Sequence, residues 1–438
     1  MSEYNNELIE LPKDWEVKRL SEIAELQRGL SYSGSEKSKD EILDGYLFLT
    51  LNSIKEGGGL KEDGWTWIKS DRLKKRHFVK EGDIVIANTD IGMQRGHILG
   101  APAIVHFPEW YKKDKAVFSM DLSKLLLRIS NMDVNFLFYY LSFVQPLAKK
   151  YHTGTNVWHL NLDSWDKDLL VPIPPLEEQK KIAEILNTVD SIIIDTTNLI
   201  EKLKNIKRKT LNLLITGKIW HKEFKDTEIG RIPGEWKIVK LGEIAKISSG
   251  NTAPQEEKYF KNGKYPFIRV QHLKELQEEK FPVNYEFVND YALSELKLKL
   301  FKKGCIVFPK SGESIKLEKR AMLKEDSCVV NHLAVIEPLY ENIDNLFLFY
   351  YLCTIKTSNY LTETTMPSLN LSTISNFLIP LPPLEEQKKI AEILSIIDIE
   401  IETEKKYLDY MKKLKEKLLA ALMTGKIRVN SIAIGDLR

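Results

Sequence analysis

The sequence predicts an α+β chain of two similar α/β domains, separated by two long antiparallel coiled-coil helices that form a pseudo-twofold internal repeat. Three observations carry this. Residues 174–186, PPLEEQKKIAEIL, return unchanged at 382–394, 208 residues later in a chain of 438. The match runs without a gap from 171–219 onto 379–427, with 25 of 49 positions identical. The segment that opens each globular part recurs instead at an offset of 221, so length varies only in the globular parts. A repeat this long defines the architecture before any local feature does. The expected divisions are a first domain at 1–170, a helix at 171–220, a second domain at 221–378, a helix at 379–430 and a tail at 431–438.

The first domain follows a loose tail at residues 1–7 and opens with Pro12 and Trp15, then Val17, Leu20 and Ile23; Pro233, Trp236, Ile238, Leu241 and Ile244 repeat that opening. Tyr46 to Leu49 with Asn52 parallels Tyr265 to Ile268 with Gln271, and Gly82 to Ile86 parallels Gly304 to Phe308. Each reads as a turn feeding a buried strand. The strands run into polar, glycine-containing loops, NTDIGMQRG at 88–96 and KSGES at 310–314. An aromatic helix follows in each half, FLFYYL at 136–141 and at 347–352, and then Leu-Asn-Leu at 160–162 and 369–371.

Glu177 and Glu178 follow a Pro-Pro pair, where carboxylates favour a helix amino end. Gly217 supplies the stop. Between them Ile182, Ile185, Val189, Ile192, Leu199, Leu203, Ile206 and Leu213 recur at 3- and 4-residue steps, and the second copy does the same. That periodicity is a coiled-coil signal. A third apolar position per heptad (Leu186, Ile193, Ile200; Leu394, Ile401, Leu408) widens the stripe. It covers either the helix's own domain or a partner subunit, and these six are the candidate subunit-interface residues.

Apolar residues make up 43% of the chain and charged residues 29%, with a formal net charge of +2. No stretch is long and apolar enough for a membrane span, and MSEYNNELIE carries no secretory signal, so the expected compartment is the cytoplasm. The three cysteines lack metal or CxxC spacing and read as structural buried thiols. The small net charge excludes a protein that coats DNA unaided, because such affinity comes from neutralised phosphates. No phosphate loop, HExxH, Cys/His metal set or GxSxG elbow is present, so no catalytic residue and no metal or cofactor of the chain's own is expected.

Recognition remains. Side chains able to read base edges gather in the loops beside the strands. In the first half they are Asn52, Asn88, Thr89, Gln94, Arg95, His97, Thr155 and Asn156. In the second they are Arg269, Gln271, His272, Lys310, Ser311, Ser314, Lys316, Thr364 and Thr365. Lys74 to Arg76 and Lys112 with Lys113 are candidates for phosphate contacts.

Two variable domains, each opening on P-x-x-W and closing on PPLEEQKKIAEIL with a long helix ending in TGKI, resemble the specificity subunit of type I restriction–modification enzymes. The resemblance covers nearly the whole chain. It implies two target recognition domains, each reading one half of a bipartite double-stranded DNA sequence through the major groove. It implies helices that fix the spacing between half-sites and dock two methyltransferase subunits, with two restriction subunits in the full complex. It also places S-adenosylmethionine, ATP and Mg on the partners. The alternatives are a coiled-coil adaptor without DNA specificity and a stand-alone adenine methyltransferase.

Overall fold

A computed structural model describes residues 11–91, 96–274, 280–282, 284–339, 342–361 and 367–429. The residues expected to form the loose amino-terminal tail, and those expected after 430, lie outside the described set. Four helices organise the chain: α1 (Val134–Val144), α2 (Leu176–Ile215), α3 (Asn345–Leu352) and α4 (Leu384–Met423). Two compact units form, residues 1–197 with 406–438, and residues 198–405. Each 40-residue helix therefore gives one half to each unit.

The first unit contains a five-stranded sheet in the spatial order Lys37–Ser38, Thr66–Ile68, Tyr46–Leu49, Ala116–Phe118, Phe78–Val79. A four-stranded antiparallel sheet runs Ala24–Arg28, Leu122–Leu127, Ile84–Ala87, Pro102–Ile104. In the second unit the matching four-stranded sheet is Ala245–Ser249, Leu333–Pro338, Ile306–Pro309, Ala321–Met322. Beside it lie Glu286–Val288, Tyr265–Ile268, Ser327–Val329 and Leu300–Phe301. Each unit has one parallel pairing in its strands, Phe48 beside Val117 and Phe267 beside Cys328. The sequence repeat thus returns as a repeat of sheet topology.

The repeated motif has a physical reason. Glu178 is fully buried and accepts from the Trp15 indole N–H at 3.1 Å and from Arg428 at 2.7 and 2.9 Å. Arg428 spans on to Asp14 at 2.9 and 2.6 Å, holding that carboxyl below its ordinary range. In the second unit Glu386 accepts from Trp236 at 3.1 Å and pairs with His221 at 2.7 Å. Gln179 donates to the carbonyls of Asn131 and Pro174 and accepts from the Asp133 N–H; Gln387 does the same with Asn342, Pro382 and Asp344. Asp133 and Asp344 in turn cap α1 and α3 through the N–H groups of Phe136 and Phe347. One Glu-Gln pair therefore joins the P-x-x-W segment, the start of the long helix and the aromatic helix.

Within each unit the long helices run antiparallel. In the first, α2 passes from Glu178 to Asp190 while the other strand of the pair passes from Arg428 back to Lys415, which meets Asp190 at 2.5 Å. In the second, α4 passes from Glu386 to Asp398 while its neighbour passes from His221 back to Lys207, which meets Asp398 at 2.6 Å. The Tyr139 hydroxyl donates to Asp190 at 2.8 Å and the Tyr350 hydroxyl to Asp398 at 2.6 Å. Burial and the adjacent carboxylate push both phenols up. A tyrosine–aspartate–lysine clamp so fixes each aromatic helix to both long helices.

The helix stripe is assigned differently from its periodicity. Leu186 and Leu394 lie in the two main cores, fully buried, and Ile200 and Ile401 are buried too. Ile193 and Leu408 are half-buried. Of the six candidate subunit-interface positions, Leu186, Ile200, Leu394 and Ile401 are closed by the chain itself, and Ile193 and Leu408 stay partly open. The outer side chains are Ile194, Leu199, Ile206 and Leu213 on α2 and Ile396, Ile399, Tyr407 and Tyr410 on α4. Cys305 and Cys328 are buried, which pushes both thiols up to about 12, whereas Cys353 is exposed, against expectation.

Candidate nucleic-acid interface

Each domain brings four segments together at one end of its antiparallel sheet, through the same backbone bonds. In the first, Leu30 N–H donates to Phe118 (2.8 Å), Met120 to Leu30 (2.9 Å), Asn88 to Asp121 (2.7 Å) and Leu160 to Asn88 (2.8 Å). In the second, Asn251 donates to Val329 (2.8 Å), Asn331 to Asn251 (2.8 Å), Lys310 to His332 (3.0 Å) and Leu369 to Lys310 (2.8 Å). Position 88 therefore corresponds to 310, 120 to 331, and 121 to 332. The turns that hold the last two, SMD and VNH, close alike, Leu122 onto Ser119 and Leu333 onto Val330, both at 3.0 Å.

Unlike side chains stand on this shared frame. In the first domain the Thr89 hydroxyl donates to Asp121 Oδ1 at 3.3 Å and lies 3.4 Å from His159 Nδ1. Ser119 donates to Asp121 Oδ2 at 3.4 Å. The Asp121 carboxylate adds to burial in pushing the Tyr32 phenol up. In the second domain the Ser311 hydroxyl and His332 Nδ1 are 2.8 Å apart, and Ser311 bridges to Ser368. Met120, His159 and His332 are exposed, and Asp121 and Ser311 half-buried.

The candidate readers divide by burial. Asn52, His97, Thr155, Asn156, Gln271 and Lys316 are exposed, with Lys310 and Ser311 half-buried. Thr155 and Asn156 sit at the tip of the hairpin formed by His152–Thr153 and Trp158–Leu160, where His152 stacks on Trp158 at 3.9 Å. Asn88, Thr89, His272 and Ser314 are buried and are corrected as readers. Their polar atoms build the turns instead: Asn88 donates to Ser123 at 3.0 Å, His272 Nδ1 accepts from the Arg269 N–H at 3.0 Å, and Ser314 donates to the Ser311 carbonyl at 3.2 Å. Arg269 is held by Glu286 at 2.8 Å, and Lys316 pairs with Glu313. Gln94, Arg95, Thr364 and Thr365 lie outside the described residues. The Asp90 carboxylate accepts from the N–H groups of Gly96 and Ile98 at 2.7 and 3.3 Å. Lys74 to Arg76, Lys112 and Lys113 are exposed.

Sequence reading missed Asp121, His159, Asn331 and His332. The turns SMD and VNH share no residue, so only their position before the matching strands could have marked them.

A carboxylate fastens the loop beside the second cluster. Glu318, in a left-handed conformation at φ 52°, accepts from the N–H groups of Thr357 and Ser358 at 3.0 and 2.9 Å, the Thr357 hydroxyl at 2.7 Å and buried Arg320 at 2.8 Å. Burial alone would raise its pKa, but these donors hold it at about 2. A depressed carboxylate contributes stability above its unfolded value and loses it as pH falls. The wild-type advantage over Glu318→Gln is thus expected to be full above about pH 5 and to shrink as pH falls from 4.5 through about 2. Thermal melts of both proteins across that range test this; a gap that stays constant would refute it.

A family model described as the type I restriction modification DNA specificity domain matches residues 12–207 and again 233–410. The type I restriction enzyme MjaVIII specificity subunit of Methanocaldococcus jannaschii is 31% identical, over 97% of this chain and 95% of its own. The putative MjaX specificity subunit of the same organism is 32% identical, over 97% and 96%. The S subunit of a type I restriction–modification system from M. genitalium shares the fold, with a TM-score of 0.59 over 94% of this chain and 96% of its own, at 17% identity.

Proposed function

The chain belongs to the type I restriction–modification DNA specificity family, and from that premise we propose that its two domains each read one half of a bipartite duplex target while the long helices set the gap. The observation that carries this is the doubled frame: one backbone arrangement, made twice in one chain, presents different polar tips. A common scaffold with unlike tips suits two half-sites of unlike sequence. In this reading the chain acts without chemistry of its own, and the reacting groups belong to its partners. Two methyltransferase subunits bring S-adenosylmethionine to the DNA, and two restriction subunits add the ATP- and Mg-dependent steps. The apolar side chains left outward on α2 and α4 suit the methyltransferase contacts. No described helix is long and apolar enough to cross a membrane, and the working compartment is the cytoplasm.

The helices test the spacing role. Deleting 195–201 together with 404–410 removes one heptad from each helix and keeps both tyrosine–aspartate–lysine clamps. The loss is about 10 Å of helix with a rotation of only about 20°. The preferred gap in selected DNA is expected to shorten by about three base pairs, at roughly 3.4 Å each, with both half-site sequences unchanged. An unaltered gap would remove the spacing role.

A further inference from the structure

We propose that the matched positions Asp121 and His332 are specificity-determining residues, one per half-site, that read base edges of opposite hydrogen-bonding sense. This deepens the DNA-recognition reading and rests on it. The two residues occupy the same point of the shared frame, because each carbonyl accepts the N–H of the residue just after a central strand, Asn88 after Ile84–Ala87 or Lys310 after Ile306–Pro309. Each follows a turn residue, Met120 or Asn331, tied to the first strand's extension at Leu30 or Asn251. The backbone is thereby fixed from two sides and leaves the side chain as the variable.

The chemistry at that point is opposed. Asp121 offers only acceptors when ionised. Its two neutral neighbours, the Thr89 and Ser119 hydroxyls, bind at 3.3 and 3.4 Å, long for O–H···O⁻ bonds. Those contacts orient the carboxylate without saturating it. In a major groove such a group takes an exocyclic amine, cytosine N4 or adenine N6. His332 is different: Ser311 engages Nδ1 at 2.8 Å and fixes the ring, leaving Nε2 as the ring nitrogen offered to a ligand. We assign the Ser311 hydroxyl as the donor to Nδ1, the tautomer in which Nε2–H is a donor. It takes an acceptor edge, of which guanine, with N7 and O6, is the richest. The Thr89 and Ser311 hydroxyls thus play the same part in both domains, each steering a reader of contrary character.

The inference also accounts for the sequence. The scaffold residues repeat as recognisable landmarks, whereas the turns at 119–121 and 330–332 share nothing. Recognition of unlike half-sites requires that pattern at the point of contact.

The experiment is selection from a random duplex DNA library by the full chain co-purified with its methyltransferase subunit. Wild type, Asp121→Asn, Asp121→Ala and His332→Ala are compared. Wild type is expected to enrich a two-part motif with a cytosine or adenine under Asp121 and a guanine under His332. Asp121→Ala is expected to lose about 10- to 100-fold of the discrimination at a single base pair of one half-site. Asp121→Asn is expected to favour adenine at that same base pair, since an amide reads adenine N6 and N7 together. His332→Ala is expected to lose discrimination in the other half-site only. The untouched half-site reports in each case that the chain is folded. Three outcomes overturn the inference while leaving DNA recognition intact: a motif unchanged by every variant, a uniform loss across all sequences, or both positions altering the same half-site. A wild-type protein that enriches no two-part motif overturns the recognition reading and this inference with it.

Discussion

Arg428→Ala is expected to destabilise the first unit by about 3 kcal/mol, at the low end for a broken buried ion pair because water screens part of it. The Arg428 side chain is 31% exposed, whereas Glu178 is not exposed at all. Removal of the guanidinium strips four charge-assisted bonds, two to Glu178 and two to Asp14. It leaves a buried carboxylate against the Trp15 indole N–H. Arg428→Lys keeps the charge but not the planar fork, so it should recover only part of the loss. Pairing Arg428→Met with Glu178→Gln should recover more than either change alone, since a neutral pair has less to desolvate. The readout is denaturant unfolding followed by limited proteolysis that distinguishes fragments of the two units. The first unit should open earlier and the second unit on schedule; identical curves for Arg428→Ala and wild type would sink the assignment.

Asp398→Ala should cost the second unit about 3–5 kcal/mol, the ordinary range for removing one partner from a buried ionic cluster. The carboxylate side chain is 9% exposed and is met by Lys207 and Lys280, themselves 18% and 15% exposed. Without it two ammonium groups face each other with little water, and the Tyr350 hydroxyl loses its 2.6 Å acceptor and keeps the longer 3.3 Å contact with the Ser395 hydroxyl. The matching change in the first unit, Asp190→Ala, should cost clearly less. There the pair is 28% and 31% exposed, and the Tyr139 hydroxyl keeps Asn187 as an acceptor at 2.8 Å. Adding Lys280→Met to Asp398→Ala should restore part of the loss by removing a stranded charge. Equal costs at the two aspartates, measured by chemical denaturation, would contradict the burial argument.

The architecture was legible because it is written twice. Glu178 and Gln179 recur as Glu386 and Gln387 since each pair satisfies the same buried donors and acceptors. Trp15 and Trp236 recur because each supplies an indole N–H to that glutamate. Helix periodicity was less informative: with three apolar positions per heptad, it could not say whether Leu186 or Leu199 faces inward. Packing against Trp15 and the aromatic helix decides for Leu186. The contact end was half legible. Side-chain type identified polar loops but not burial, so Asn88, His272 and Ser314 looked like readers although the turns consume them. Asp121 and His332 were invisible because their importance comes from the carbonyls behind them, and any residue has a carbonyl.

Arg428 has a further consequence, one of timing. Every other described member of its cluster, Asp14, Trp15 and Glu178, leaves the ribosome more than two hundred residues earlier. The Glu178 carboxylate must wait for its guanidinium partner until residue 428 has been made, whereas the later module receives His221 before Glu386 has been made. A nascent chain that stalls short of residue 428 therefore carries its defect in the part synthesised first, which is where a protease of the quality-control machinery should cut.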